Sequence, residues 1–195
     1  MAKMYEEINL KKEAHYIYST PFLTEDFCKY LIKRCDKLGT WESASDEPEF
    51  ATSDIYLRTE LPEAFHHLCS GLNTLVYPPA KEAFKIEEIE TPYTIFALKY
   101  SLGAQTSLKL HKDDSYISGS IKLNDDYEGA ELIFPEEDFS NKDVPVGHII
   151  LWPASVTHPH KVTELTKGMK YSITIWTPFP ENGEDADISD RGRYK

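Results

Sequence analysis

Two metal-binding side chains are two residues apart in His111-Lys112-Asp113. On a β-strand, residues i and i+2 point to the same face, so His111 and Asp113 would project together while Lys112 points away. One imidazole and one carboxylate are two of the three ligands in a facial triad of two histidines and one carboxylate. The sequence therefore indicates part of a metal site, and the third ligand must come from elsewhere in the sheet.

A third ligand is expected from Thr157-His158-Pro159-His160-Lys161. Strand alternation puts His158 and His160 on the same side, so the pattern alone does not choose between them. A triad of this kind leaves three coordination positions open, which suits iron(II) that binds a bidentate co-substrate and O₂. An isolated His-x-Asp is weak evidence because it is frequent by chance, so the distal histidines and the cation that follows them matter.

A lysine begins the next β-rich run, at 170–176. Lys170, Ser172 and Thr174 would share one face of that strand. A lysine facing the inside of a barrel needs an anionic partner, and the distal carboxylate of a dicarboxylic keto acid is such a partner. Ser172 can place a hydroxyl on the same carboxylate, although a strand serine is often merely tolerated. The alternative puts Lys170 at the strand end with its ammonium group in water.

Two helices are predicted before the β-rich part of the chain. Thr24 is followed by acidic residues and an apolar stripe at helical spacing, which predicts a helix ending before Gly39. A second helix is predicted at about 62–76, and Pro78-Pro79 is expected to end it. Residues 1–13 are expected to be frayed or weakly helical, whereas 15–18 and 54–57 are predicted to be short strands.

From Thr91 onward, short runs of β-forming residues alternate with Gly, Pro, Asn and Asp. The predicted strands are 93–100, 108–111, 116–123, 131–134, 148–152 and 171–176. Many short strands in about 85 residues favour a double-sheet jelly roll or barrel with the helices packed outside it. The predicted fold is mainly β with flanking helices around a double-stranded β-helix, a cupin-like jelly-roll core.

We expect a single domain over residues 1–195. Helical N-terminal support would cover about 20–85, the jelly-roll core about 91–178, and an acidic tail 181–195. Residues 41–60 and the tail are candidates for a lid over the substrate.

The formal net charge of −12 disfavours a nucleic-acid partner, because an acidic surface repels a phosphate backbone. No apolar run has the length of a membrane span, and the N-terminus lacks the apolar segment of a secretory signal. Cys28, Cys35 and Cys69 have no metal-binding spacing, so we expect reduced, buried thiols. A cytoplasmic protein without nucleic-acid or membrane partners is therefore expected, and its oligomeric state is not indicated.

The order Tyr100, His111-Lys112-Asp113, His160, Lys170 resembles the prolyl and lysyl hydroxylase branch of the iron(II)/2-oxoglutarate dioxygenases, and above all the catalytic domain of procollagen lysyl hydroxylases. The likeness covers nearly the whole chain except the first dozen residues and the tail. The other stretches that resemble the family are Pro21 to Cys28, Thr52 to Leu57, Gln105 to Leu108, Asp126 to Gly129 and Gly168 to Tyr171.

This resemblance implies that His111, Asp113 and His160 bind iron(II). The ten-residue spacing to Lys170 selects His160 over His158, which would then support the site or lie at its rim. Lys170 and Tyr100 would bind the 5-carboxylate of 2-oxoglutarate, with Ser172 nearby. Leu132 would line the apolar wall of the same pocket. Iron(II), 2-oxoglutarate and O₂ are the implied cofactor and co-substrates, with ascorbate as an optional addition.

The chain departs from the lysyl hydroxylase pattern in three ways. Lys170 stands where those enzymes have arginine, although lysine is usual in prolyl hydroxylases. An asparagine expected near Ser120 is absent, and the extra domains of the collagen enzymes are also absent from this sequence.

The expected reaction is hydroxylation of a C–H bond, with a lysyl or prolyl residue of a protein or peptide as the leading substrate. A free amino acid, another small molecule, or a non-catalytic metal-binding role stays open. The acidity of the chain argues against a nucleic-acid demethylase. A cupin-type metal enzyme without 2-oxoglutarate would leave Lys170 and Tyr100 unexplained.

Overall fold

A computed structural model describes residues 3–41, 52–154 and 157–180. The helices are α1 (Glu25–Leu38), α2 (Leu57–Glu60), α3 (Pro62–Gly71) and α4 (Tyr77–Phe84), with a π-helical turn at Leu72–Val76 between the last two. The strands are β1 (Lys11–Ala14), β2 (Ile17–Pro21), β3 (Asp54–Tyr56), β4 (Thr94–Ser101), β5 (Leu108–His111), β6 (Ile117–Lys122), β7 (Glu128–Gly129), β8 (Leu132–Phe134), β9 (Phe139–Ser140), β10 (His148–Pro153), β11 (His160–Val162), β12 (Leu165–Lys167) and β13 (Met169–Trp176).

Two antiparallel sheets form the centre of the molecule. The large sheet has the strand order β1-β2-β10-β6-β13-β4-β3, and the small sheet has the order β5-β11-β8-β9. Strands β7 and β12 pair separately. Most neighbours in each sheet, such as β2 and β10 or β5 and β11, are distant in the sequence, as in a jelly roll rather than a simple meander. The predicted fold class, mainly β with flanking helices around a double-stranded β-helix, is confirmed.

Both faces of the large sheet are covered, and strand β13 shows how. Tyr171, Ile173 and Ile175 are buried in a hydrophobic core that also contains residues of the helices. The alternate residues point to the other face, where Trp176 packs into a second core shared with the small sheet. Lys170 and Ser172 lie on this same inner face and are buried. The helices therefore support the sheet from outside, and the candidate functional residues lie between the two sheets.

Helix α1 begins and ends where the sequence predicts. The hydroxyl of Thr24 accepts a hydrogen bond from the backbone N–H of Phe27, and acidic residues occupy the first turn. Gly39 follows the helix with φ of 68°, and its N–H donates to the carbonyl of Cys35. A left-handed residue of this kind is the usual glycine helix end.

The prediction that Pro78-Pro79 would end the second helix is wrong. Helix α3 runs into the π-helical turn, and α4 continues through both prolines to Phe84. The prolines lie in the first turn of α4, where a backbone N–H is not required. The N–H of Tyr77 bonds back to the carbonyl of Leu72, so the π-turn connects the two helices without a break.

The N-terminal segment is extended rather than frayed or helical. Strand β1 pairs with β2, and the strand expected at 15–18 begins only at Ile17 because Tyr16 adopts φ of 51° in the turn. Tyr5 stacks on Phe22 and its hydroxyl donates to the carbonyl of His67. The N-terminal half therefore contributes strands to the large sheet as well as helices.

The cysteines are free and buried, as expected. Burial raises the pKa of Cys28 and Cys35 to about 12 and that of Cys69 to about 11. The thiols are therefore poor nucleophiles at neutral pH. In the described part of the chain, no helix combines the length and apolarity needed to span a membrane.

Candidate metal centre and co-substrate pocket

Strands β5 and β11 place two histidines side by side in the small sheet. His111 is the last residue of β5, His160 is the first of β11, and the two are cross-strand partners. Their ring centroids are 4.4 Å apart. Asp113 follows two residues after β5, so it reaches the histidines from a loop and not by strand alternation as predicted. One ligand atom from each of these three side chains lies within 4.8 Å of the others.

The two imidazoles face one oxygen of the carboxylate. The Nε2 atoms of His111 and His160 lie 3.4 and 3.5 Å from Oδ1 of Asp113. The Nδ1 atom of His111 is 2.8 Å from the carbonyl of Lys109, and that of His160 is 3.0 Å from the carbonyl of His158. Because a carbonyl only accepts, Nδ1 must donate in both cases, so Nε2 is the nitrogen that each ring turns towards Asp113 and would offer to a metal.

Asp113 is held in its ionised form. Burial opposes its charge, but hydrogen bonds from His111 and His160 lower the pKa of this carboxyl far below its usual range. Burial acts to lower the pKa of His111, but the hydrogen bond to Asp113 has the larger effect, so the pKa of this imidazole is raised overall. Two nitrogen donors and one carboxylate oxygen fit a divalent iron ion with open positions, so the donor set agrees with the expected metal.

Two aromatic side chains pack against His160. Its ring lies 5.0 Å from Trp152 and 5.3 Å from Phe134, measured between centroids. Both aromatic residues are fully buried. Trp152 is therefore a core residue that packs directly on a candidate ligand.

His158 does not join the cluster. Its Nε2 donates to the carbonyl of His15 at 2.9 Å, and its Nδ1 accepts from the hydroxyl of Thr157 at 2.7 Å. It precedes β11, so strand alternation does not align it with His160. Of the two roles expected for His158, the exposed rim position is excluded because the residue is only 2% exposed. Its carbonyl supports the ring of His160, which agrees with a supporting role.

Ser118 was missed by the sequence analysis. Its hydroxyl donates to Oδ2 of Asp113 at 2.6 Å. The residue is fully buried and is the second residue of β6. The sequence shows a serine within the predicted strand 116–123, which is otherwise rich in apolar residues. Its partner could not be predicted, because the contact depends on how the loop after β5 folds back onto β6.

The expected co-substrate residues meet on the inner face of the large sheet. Lys170 and Tyr100 are cross-strand partners in β13 and β4, and the ammonium group of Lys170 lies 5.0 Å from the centroid of the Tyr100 ring. Lys170 is 3% exposed and donates to the carbonyl of Ala130 at 2.8 Å. The alternative with its ammonium group in water is therefore excluded.

Two polar groups here are suited to an anion. Burial and the nearby charge of Lys122 lower the pKa of Lys170 to about 7. The hydroxyl of Tyr100 is buried and has no hydrogen-bond partner among the described residues. Burial raises the pKa of this phenol, as do the charges of Asp54 and Asp113, so it is a donor at neutral pH. A bound carboxylate would satisfy the hydroxyl and neutralise the ammonium group.

The other predicted pocket residues lie in the same region. Leu132 is buried in the core that contains Tyr100 and is fixed by a bond from its N–H to the Asn141 side chain at 2.8 Å. Ser172 is buried two residues from Lys170 and is the cross-strand partner of Lys122. The roles assigned to these residues stay predictions. A lid was expected from residues 41–60 and from the tail. Residues 42–51 of the first segment and the whole tail, 181–195, lie outside the described residues.

Comparison with known proteins identifies relatives by sequence. The chain is similar to a multifunctional procollagen lysine hydroxylase and glycosyltransferase of Caenorhabditis elegans, with 27% identity over 169 residues, covering 80% of this chain and 23% of that protein. It is also similar to the rat enzyme LH3 of the same name, with 27% identity over 167 residues, covering 80% and 22%. The chain thus spans less than a quarter of these relatives. No protein-family model matches it.

Solved structures show the same fold. A prolyl-4-hydroxylase from Pseudomonas putida aligns with a TM-score of 0.65 and 19% identity, covering 84% of this chain and 92% of that one. A Trichoplax adhaerens prolyl hydroxylase bound to a hypoxia-inducible-factor peptide fragment aligns with a TM-score of 0.64 and 16% identity, covering 83% of each. At these identities the likeness concerns the fold.

The jelly-roll fold is that of the solved prolyl hydroxylases, and the two histidines and one carboxylate are the ligand set of a facial-triad iron(II) site. By sequence, the chain is a homologue of the procollagen lysine hydroxylases. The resemblance predicted from the sequence is confirmed.

Proposed function

We propose that this chain is an iron(II)- and 2-oxoglutarate-dependent hydroxylase that oxidises a C–H bond of a lysyl or prolyl residue in a peptide or protein. The observation that supports it most is the cluster of His111, Asp113 and His160 together with the buried Lys170, whose ammonium group has no carboxylate partner among the described residues. The cluster is suited to hold the metal. Lys170 is suited to hold the co-substrate.

Each residue has a distinct task in this proposal. His111 and His160 bind the metal through Nε2, and Asp113 binds it through Oδ1, since these atoms converge. When bound, iron(II) with 2-oxoglutarate and O₂ supplies the oxidising chemistry that inserts one oxygen atom into the C–H bond. Ascorbate is proposed only as an optional reductant.

Lys170 and Tyr100 orient the co-substrate. The ammonium group and the phenol donate to its distal carboxylate, which directs the keto-acid end towards the metal ligands. Lys170 accepts a proton or keeps one when the anion binds, because burial and the charge of Lys122 lower its pKa to about 7 in the absence of the anion. The apolar side chains of Leu132, Phe134 and Trp152 exclude water from the space between the sheets.

Peptidyl lysine or proline is the proposed substrate class because the sequence relatives are named procollagen lysine hydroxylases and the structural neighbours prolyl hydroxylases. One of those neighbours contains a peptide fragment. A panel of lysine- and proline-containing peptides and of free amino acids would be incubated with the loaded protein. Mass spectrometry should detect the gain of one oxygen atom on a peptide, and a gain confined to free amino acids would contradict the peptide assignment.

The reaction class has its own test. The metal-free protein would be titrated anaerobically with iron(II) and 2-oxoglutarate, together and separately. A visible charge-transfer band should require both components, and succinate should form once air is admitted. Asp113→Ala is the control that should show neither. Absence of the band and of succinate in the wild-type protein would refute the proposed function.

A further inference from the structure

The two oxygens of Asp113 have different surroundings. Oδ1 faces the Nε2 atoms of His111 and His160 at 3.4 and 3.5 Å. Oδ2 accepts a hydrogen bond from the hydroxyl of Ser118 at 2.6 Å. A hydroxyl bound to an ionised carboxylate at this distance is a charge-assisted hydrogen bond, about twice as strong as a neutral one. The carboxylate therefore presents one oxygen to the two histidines and the other to strand β6 of the large sheet.

Ser118 lies in a central strand of the large sheet. Strand β6 lies between β10 and β13, and the cross-strand partners of Ser118 are Trp152 on one side and Trp176 on the other. The serine is 0% exposed, so water does not compete for its hydroxyl. Both indole N–H groups lack an acceptor among the described residues. Of Ser118 and its two tryptophan partners, Ser118 is thus the one that donates a hydrogen bond to Asp113.

We propose that Ser118 is a positioning residue that holds Asp113 as a single-oxygen metal ligand. The inference rests on the proposed function, in which the three-residue cluster binds iron(II). A carboxylate can bind a metal through one oxygen or two. With Oδ2 engaged by Ser118, the second oxygen is kept from the metal, and the position that it would take stays open for the co-substrate or O₂.

The loss of this hydroxyl should affect metal binding before any turnover. Residues that orient a metal ligand typically change metal affinity or activity by about 10- to 100-fold when removed. In Ser118→Ala, the Asp113 side chain is no longer held in one orientation. We expect cobalt(II) affinity to fall by about 10- to 100-fold, and the visible spectrum of the bound cobalt(II) to change with its coordination.

The chain provides a matched control in Ser19. This serine lies in β2 of the same large sheet, is 3% exposed, and donates to Oε1 of Glu13 at 2.6 Å. Ser19→Ala therefore removes a part-buried hydroxyl–carboxylate bond of the same length without touching the metal cluster. It should bind cobalt(II) with wild-type affinity and give the wild-type spectrum.

The experiment is a titration of the metal-free full-length protein with cobalt(II), followed by calorimetry and visible absorption. Thermal unfolding of each variant confirms that it is folded. Ser118→Cys provides a second variant of similar size whose thiol is only a weak donor, so it should shift affinity and spectrum in the direction of Ser118→Ala.

Three outcomes are distinguishable. A weaker affinity and an altered spectrum in the two Ser118 variants, with Ser19→Ala unchanged, support the positioning role. Wild-type binding in both Ser118 variants, or equal weakening in Ser19→Ala, overturns it while the proposed function stands. A wild-type protein that binds no more cobalt(II) than Asp113→Ala would overturn both.

Discussion

Lys170 offers the sharpest test of the co-substrate pocket. It is 3% exposed, and its ammonium group contacts the carbonyl of Ala130 and the ring of Tyr100. Lys170→Ala removes the ammonium group, and Lys170→Met removes the charge while keeping most of the apolar stem. Neither change touches the metal ligands. We therefore expect iron(II) affinity to stay close to that of the wild type.

Co-substrate affinity should fall. A charge-assisted hydrogen bond to a buried carboxylate contributes about 1.5–3 kcal/mol, which corresponds to roughly 10- to 150-fold in the dissociation constant of 2-oxoglutarate. The upper part of that range is expected for Lys170→Met. Its apolar tip would leave the distal carboxylate buried without a cation, whereas the space left in Lys170→Ala admits water to the carboxylate.

Calorimetric titration of 2-oxoglutarate into the anaerobic iron(II) protein measures this directly. Lys167→Met is the matched control, because Lys167 is a lysine in neighbouring β12 whose side chain is 73% exposed and bonded to Glu128. It should bind 2-oxoglutarate as the wild type does. Equal co-substrate affinity in Lys170→Met and the wild type would remove Lys170 from the site and refute the reasoning.

Two further predictions concern pH and partners. Because burial and Lys122 lower the pKa of Lys170 to about 7 from the ordinary 10.5, the unfolded chain binds more protons between these values, and stability of the metal-free protein should rise with pH across this window. The free energy of unfolding, measured with urea at pH 7 and pH 9, should rise with pH in the wild type and rise less in Lys170→Met. An equal rise in the two proteins would contradict this prediction. With a net charge of −12, the protein should show no salt-sensitive retention on DNA, and submicromolar DNA binding at physiological salt would revive the demethylase alternative.

The local structure was predictable where the sequence determines it alone. Thr24 and Gly39 define both ends of α1 because capping chemistry is local. Strand β5 has the predicted bounds, and β4, β6, β10 and β13 differ from prediction by one or two residues at one or both ends. The proline error has a physical reason, since proline is excluded from a helix interior but tolerated in the first turn.

The three residues of the metal cluster were predictable from the sequence, but their arrangement and the contact to Ser118 were not. His111 and Asp113 meet through a loop, and His158 turns away because the strand starts only at His160. Strand β11 has three residues, too few for an alternation pattern to be read from the sequence. Ser118 depends on a contact between β6 and the loop after β5. The domain boundaries, the cytoplasmic location and the roles of the site residues stay predictions.

The choice between the two neighbouring histidines tests the central claim most directly. Succinate formation from 2-oxoglutarate would be measured with iron(II) and O₂ in the wild type, His160→Ala and His158→Ala. His160→Ala should abolish turnover because it removes a ligand from the cluster. His158→Ala should retain activity, with at most the roughly 10- to 100-fold loss of a residue that supports a ligand. An inactive His158→Ala beside an active His160→Ala would contradict the assignment of the metal centre, and with it the place of Lys170.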